Sequence, residues 1–296
     1  MDNNYFESSR EKWQRLADLW NKVSPPGRPS SDDIKNYKAE IDKALSGVRA
    51  PIIVLMGSTP ELRDLLSQYC REKDSKLFCV DMTEDMYNAM TLLLKNNPQN
   101  ETLVLSNWLE ITKHIKPESV DLVVGDFIVG NVGGKIDNLY TEIVTILKKD
   151  GYHVTRTDVI DESTLRINDI SPLFEKYAEE AKNGKLTIGQ ASNLFTQQLV
   201  FSSWFLNDKK VMSLSYYKDQ LETLAKKWAN SSDQIKKEMA EYNMDTWGKM
   251  TDKVWHNLMK ADQEKLIKKY FEIIETRYSN DYNVIQESPI YLLKKK

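Results

Sequence analysis

Glycine is scarce in this chain, at 11 of 296 residues, where roughly 7% is usual in proteins. A turn-rich all-β architecture is therefore disfavoured and helix favoured. Cysteine is rarer still, with Cys70 and Cys79 the only two. One falls on an expected helix and the other inside an expected strand, where a thiol acts as a small apolar residue and no disulfide framework exists. The cysteines and three histidines show no metal-ligand spacing, so no metal is expected. No apolar run approaches the ~18 residues of a membrane span. The opening MDNNYFESSREKW is polar and unlike a secretory signal, so the chain is expected to be cytoplasmic and off the membrane. Positive charge is not in surplus either. Lysine and arginine number 41 against 44 acidic residues, a net charge of -3, which gives a nucleic-acid partner no broad electrostatic footing. Lys294 to Lys296 read as a solvated tail.

Residues 52 to 81 hold the densest information. Ile52 to Met56 is a short unbroken apolar run, as in a parallel strand covered on both faces. Gly57 turns the chain. Ser58 and Thr59 are placed to cap a helix whose first turn accepts Pro60. A second strand, Lys76 to Val80, ends at Asp81, 24 positions after Gly57. That is close to the spacing at which a carboxylate meets the ribose hydroxyls of a bound nucleoside. The turn Gly57-Ser58-Thr59-Pro60-Glu61-Leu62 lacks the second and third glycines of a dinucleotide fingerprint. Those glycines admit a pyrophosphate, so the expected ligand is a nucleoside without one, such as S-adenosylmethionine.

Further segments continue the pattern. A helix opens at Thr83-Glu84-Asp85, and a third strand, Thr102 to Leu105, runs into Ser106-Asn107-Trp108-Leu109. Pro117 to Asp126 and Leu147 to Val154 supply a fourth strand, then a helix end, turn and fifth strand. Over residues 50 to 157 this order resembles the class I S-adenosylmethionine-dependent methyltransferases. The resemblance implies an α/β fold with a Rossmann-like, mostly parallel sheet and an antiparallel last strand. It places Asn107 at the adenine amino group and Trp108 against the ring. The cofactor-binding candidates are Arg28, Gly57, Ser58, Thr59, Asp81, Met82, Asn107, Trp108 and Asp126. Two departures stand out: the acid often found two positions before the turn glycine is Leu55, and only one turn glycine remains.

Outside that core, Phe6, Trp13, Leu16 and Trp20 recur at helical spacing over residues 5 to 23. Pro25, Pro26 and Pro29 then stop the helix, and Ser30 with Asp33 forms a capping-box variant opening a helix to Leu45. Arg28, between them, reads either as a carboxylate ligand or as a solvated loop residue. Residues 159 to 280 read as amphipathic helix, broken at Gly184 to Gln190 and Trp204 to Lys210, with one stripe over Trp247, Met250, Val254 and Leu258 and another from Leu266 to Ile274. The last two strands are expected at Tyr282 to Glu287 and Pro289 to Leu293. The expected organisation is an N-terminal helical cap (1–48), a cofactor-binding core (49–158), a helical insertion serving as acceptor lid (159–280) and a C-terminal hairpin (281–296).

Methyl transfer asks the protein chiefly for positioning and desolvation. Asp126 is the candidate general base, with turn capping or cofactor orientation as the plainer role. His153, inside the fifth strand, reads first as a core histidine. Gly130, Gly133 and Gly134 loosen the loop after the fourth strand. Residues 195 to 217 are the expected acceptor lining. Three functions compete: a methyltransferase with a small-molecule acceptor, a non-catalytic S-adenosylmethionine- or partner-binding protein, and a nicotinamide oxidoreductase, which the missing glycines disfavour.

Overall fold

The computed structural model describes Glu11, Ala17, residues 20–282 and residues 288–296. In chain order the elements are α1 (Ser31–Ala44), β1 (Ile52–Met56), α2 (Pro60–Lys73), β2 (Lys76–Asp81), α3 (Glu84–Thr91), β3 (Glu101–Leu105), β4 (Val120–Asp126), α4 (Ile136–Ile146), β5 (Leu147–Arg156), α5 (Ser171–Lys182), α6 (Ile188–Ser203), α7 (Lys218–Ala229), α8 (Gln234–Asp245), α9 (Lys260–Tyr270), β6 (Phe271–Arg277) and β7 (Ile290–Lys295). The chain forms two compact units. One comprises residues 29–161, 257–281 and 285–296, and the other residues 1–28, 162–256 and 282–284.

The first unit is built on a seven-stranded sheet ordered β3-β2-β1-β4-β5-β7-β6. Strands β1 to β5 pair in parallel, while β7 runs antiparallel to β5 on one side and β6 on the other. The apolar run of β1 explains its central place, since Ile53, Val54 and Leu55 are fully buried and only a strand covered on both faces buries successive residues. One face of the sheet is sealed by Tyr37 and Ile41 of α1 and Leu62 and Leu66 of α2, packed on Ile53, Leu55, Cys79 and Val124. Helix α1 begins at the capping box read from the sequence. The Asp33 backbone N–H donates to Ser30 Oγ at 3.0 Å and the Ser30 N–H to Asp33 Oδ2 at 2.8 Å. Two of the helix's orphan donors are satisfied in this way. A buried bidentate pair, Arg63 to Glu101, ties α2 to β3.

The sixth strand is not where the sequence pattern put it. Residues 283–287, most of the expected first hairpin strand, lie outside the described residues. Phe271–Arg277, read as the end of a helical stripe, is β6. Helix α9 passes into β6 without a glycine or proline, and the change comes at Phe271, whose backbone is extended (φ -131°, ψ 157°). From there Ile273, Ile274 and Thr276 favour the pleated conformation. The stripe from Trp247 to Leu258 is likewise not one helix. A 3₁₀ turn covers Trp247–Met250, and Trp255 then exchanges backbone hydrogen bonds with Met212 at 2.9 Å.

The second unit is helical, with α5 to α8 packed around Phe174, Tyr177, Phe195, Leu199, Tyr217 and Met239. Both expected helix breaks are present: α5 ends at Lys182, and α6 starts at a Thr187–Gln190 capping box and ends at Ser203. Within this unit the buried Tyr217 hydroxyl donates to the Ile167 carbonyl at 2.7 Å. The segment from residue 195 to 217, the expected acceptor lining, is partly buried and partly exposed. Phe195, Phe201, Met212 and Tyr217 are buried, while Trp204, Phe205 and Tyr216 keep exposed surface. Among the described residues no helix is long and apolar enough to cross a membrane.

Candidate active site

In an open α/β sheet, ligands sit beyond the carboxyl ends of the strands, where the strand order reverses. Here that point lies at β1, between β2 and β4. The residues that end these strands or follow them are Gly57, Asp81 and Asp126.

Gly57 has φ +94°, a conformation that an L side chain reaches only with strain. Its N–H donates to the Val80 carbonyl at 2.8 Å, so the turn is fastened to the end of β2. The same carbonyl accepts from Trp108 Nε1 at 2.9 Å, and the indole edge stands 3.5 Å from where a Gly57 Cβ would lie. Gly57→Val is expected to cost about 1–2 kcal/mol from the left-handed backbone alone. Urea denaturation would measure it, and an unchanged midpoint would mean that the turn tolerates a side chain.

Asp81 is partly exposed and well supplied with donors. Ser58 Oγ donates to Asp81 Oδ2, the Thr83 N–H donates to Oδ1 at 3.2 Å, and the Met82 N–H also bonds the carboxylate. Burial pushes the carboxyl above its usual range, against the pull of these bonds and of the Arg63 charge. The Ser58 hydroxyl therefore serves Asp81 and not the cap of α2, and Thr59 makes no side-chain cap bond either. Asn107 Oδ1 accepts the Leu109 N–H at 3.0 Å, capping the short 3₁₀ turn that begins at Trp108. Gly57, Ser58, Asp81, Met82, Asn107 and Trp108 thus belong to one hydrogen-bonded neighbourhood. Leu55 is fully buried within β1.

Asp126 is differently placed from a free general base. Arg156 Nε donates to Oδ1 at 2.7 Å and Nη2 to Oδ2 at 3.0 Å, and the Tyr37 hydroxyl oxygen lies 3.2 Å from Oδ1. Arg156 also reaches Asp33 Oδ2 at 2.6 Å, with both side chains fully buried. Burial raises the Asp126 carboxyl while the Arg156 charge pulls it down. Both oxygens are engaged by a guanidinium, and this partner, Arg156, was missed in the sequence. The signal available was position: Asp126 and Arg156 end β4 and β5 and sit in register. Arg28 belongs to the helical unit, where its Nη1 donates to the Trp20 carbonyl at 3.2 Å.

His153 is fully buried, with Nδ1 3.1 Å from the Val123 carbonyl. Only a protonated Nδ1 can donate there, which fixes the neutral tautomer with its proton on that nitrogen. Burial pushes the imidazole down to about 4.

Six strands in one direction with an antiparallel strand inserted before the last, and a glycine turn and an acid ending β1 and β2, decide the architecture. The fold is a Rossmann-like α/β sheet with one antiparallel strand inserted beside its last. No family model matches the chain, and no curated protein matches it in sequence. Among solved structures, one from Rhodobacter sphaeroides, provisionally described as a Zn-dependent alcohol dehydrogenase, is 14% identical over 98% of both chains with a TM-score of 0.55. A methyltransferase from Methanosarcina mazei is 12% identical over 86% of this chain and 96% of its own, at 0.48. A 1,6-didemethyltoxoflavin-N1-methyltransferase from Burkholderia thailandensis, with bound S-adenosylhomocysteine, is 8% identical over 89% and 78%, at 0.47. At such identities likeness bears on the fold alone.

Proposed function

We propose that the chain is an S-adenosylmethionine-dependent methyltransferase acting on a small-molecule acceptor. The observation that carries this reading is Asp81, a partly exposed carboxylate ending β2 beside the left-handed Gly57 turn. A carboxylate offers about four acceptor positions. Ser58, Met82 and Thr83 fill three, which leaves capacity for a ribose hydroxyl. Asn107 spends its carbonyl on Leu109 and keeps its amide N–H pair for a ligand, while Trp108 supplies a flat apolar surface. These groups suit a nucleoside, and the turn lacks the second glycine with which a backbone approaches a pyrophosphate. Among the described residues no three His, Cys, Asp or Glu side chains cluster as metal ligands, so the zinc chemistry named for the Rhodobacter sphaeroides protein is not carried over.

When bound, S-adenosylmethionine supplies an electrophilic methyl on a positively charged sulfur. The protein's part is then to hold the acceptor in line with that methyl and keep water out. Neither Asp126, held by Arg156, nor the buried His153 is disposed to take a proton from an acceptor. The small-molecule assignment rests on charge. The net charge is -3, and some of the lysines are paired with acids, as in Lys236 with Glu175 at 2.5 Å and Lys269 with Asp137 at 2.7 Å.

Calorimetry with S-adenosylhomocysteine tests the cofactor reading. Asp81→Ala should weaken binding about 10- to 100-fold, the loss of a charge-assisted hydrogen bond of about 1.5–3 kcal/mol. Heat with a nicotinamide dinucleotide but not with S-adenosylhomocysteine would overturn the reading. An acceptor screen that follows S-adenosylhomocysteine release then tests turnover.

A further inference from the structure

The residue after β4 is held with unusual completeness. Phe127 has φ +52°, a left-handed conformation that is uncommon and costly for a bulky residue. Its N–H donates to the Arg156 carbonyl at 2.9 Å, and its own carbonyl accepts from Asn131 Nδ2 at 2.8 Å. The Arg156 guanidinium lies over its ring, 4.0 Å from the centroid, and is itself fixed by Asp126 and Asp33. Phe127 nevertheless keeps part of its surface exposed. Strain of this kind persists only where the surroundings over-determine it, and it gathers at ligand-binding positions. The position is the carboxyl end of β4, next to the strand-order reversal where ligands sit in such sheets.

We infer that Phe127 is the wall of the acceptor subsite and selects an electron-rich aromatic acceptor. The inference rests on the methyltransferase reading. One face of the ring is covered by a cation, which draws π density toward the buried side. The outer face is left electron-poor, and rings of opposite π character stack best in offset geometry. An apolar core role alone would not require a left-handed backbone or a partly exposed residue. The fixed ring also pre-organises the stack, so little ordering cost is left to the ligand.

The test uses two bicyclic probes of similar size, electron-rich 5-hydroxyindole and electron-poor quinoxaline. Their affinities are measured by ligand-observed NMR on the full chain, with and without S-adenosylhomocysteine. The expected result is tighter binding of 5-hydroxyindole, with Phe127→Leu weakening it about 3- to 10-fold, the range of one aromatic pair, and Phe127→Tyr retaining it. Equal affinity for both probes, no binding of either, or a Phe127→Leu variant that binds 5-hydroxyindole like the parent would overturn the inference. If Phe127→Leu fails to fold, the probe preference of the parent and of Phe127→Tyr decides. Binding of 5-hydroxyindole that depends on Phe127 in a protein that ignores S-adenosylhomocysteine would sink the cofactor reading and uphold the aromatic subsite.

Discussion

Arg156→Met is expected to cost about 3–5 kcal/mol of folding stability, because it strands Asp33 and Asp126 in the interior without their cation. The native cluster sets two carboxylates against one guanidinium, with Tyr37 Oη donating to the Gly125 carbonyl at 2.7 Å and accepting the Arg156 N–H at 2.8 Å. The loss should depend on pH in a definite sense. Burial already raises the Asp126 carboxyl, and without Arg156 nothing comparable opposes that rise. A carboxyl raised in the folded state destabilises once ionised. The variant should therefore recover stability as pH falls toward the carboxylate's ordinary range, and lose it as pH climbs through the raised value. Urea denaturation at pH 7 and pH 4.5 measures both effects. Adding Asp33→Asn and Asp126→Asn to the Arg156→Met background should restore part of the loss. A single variant as stable as the parent at pH 7 would mean that the cluster carries no net ion pairing.

His153 is expected to make the protein acid-sensitive well above the range of its carboxylates. The folded imidazole is held down at about 4, against an ordinary value near 6.5. As pH drops below about 6.5 the unfolded chain takes up this proton first, so stability falls with pH and levels off near the folded value. The linked loss is about 3 kcal/mol by pH 4, since each tenfold difference in proton affinity between the folded and unfolded chain is worth about 1.4 kcal/mol. His153→Leu, close in volume, should flatten the slope between pH 6.5 and 4. In the parent protein, NMR of the ring carbons should show no titration of this residue down to pH 5. A midpoint near 6.5 would place the ring in contact with solvent.

The cofactor half of the sheet was legible because its signals are local. An unbroken apolar run, a glycine, a proline in a first turn and an acid at a set distance lie within 30 residues, from Ile52 to Asp81. Each obeys a rule that needs no distant partner, as does the Ser30 and Asp33 box. The role of Ser58 was misread because two acceptable uses of one hydroxyl, capping α2 or bonding Asp81, look alike in sequence. Asp126 was found, but its ion pair was not, since Arg156 becomes its neighbour only through the register of β4 with β5. Strand β6 was lost to periodicity. Leu266, Ile267, Tyr270, Phe271 and Ile274 fit helical spacing, yet of these only Ile267 and Phe271 are fully buried. The half-buried Ile273 and Ile274 belong to a strand with no neighbour on its outer side among the described residues.

The position of β7 has a consequence for how the chain assembles during synthesis. Strand β6 leaves the ribosome before β7, yet it has no berth on the growing sheet, because β7 lies between it and β5. Until Ile290–Lys295 arrives, β5 presents a naked edge, and β6 carries half-buried isoleucines with nothing to pair against. An open strand edge of this kind invites pairing with other chains. Strand β7 is thus a keystone whose insertion closes both gaps in one step, and the hazardous interval for this protein falls between the synthesis of β6 and that of β7.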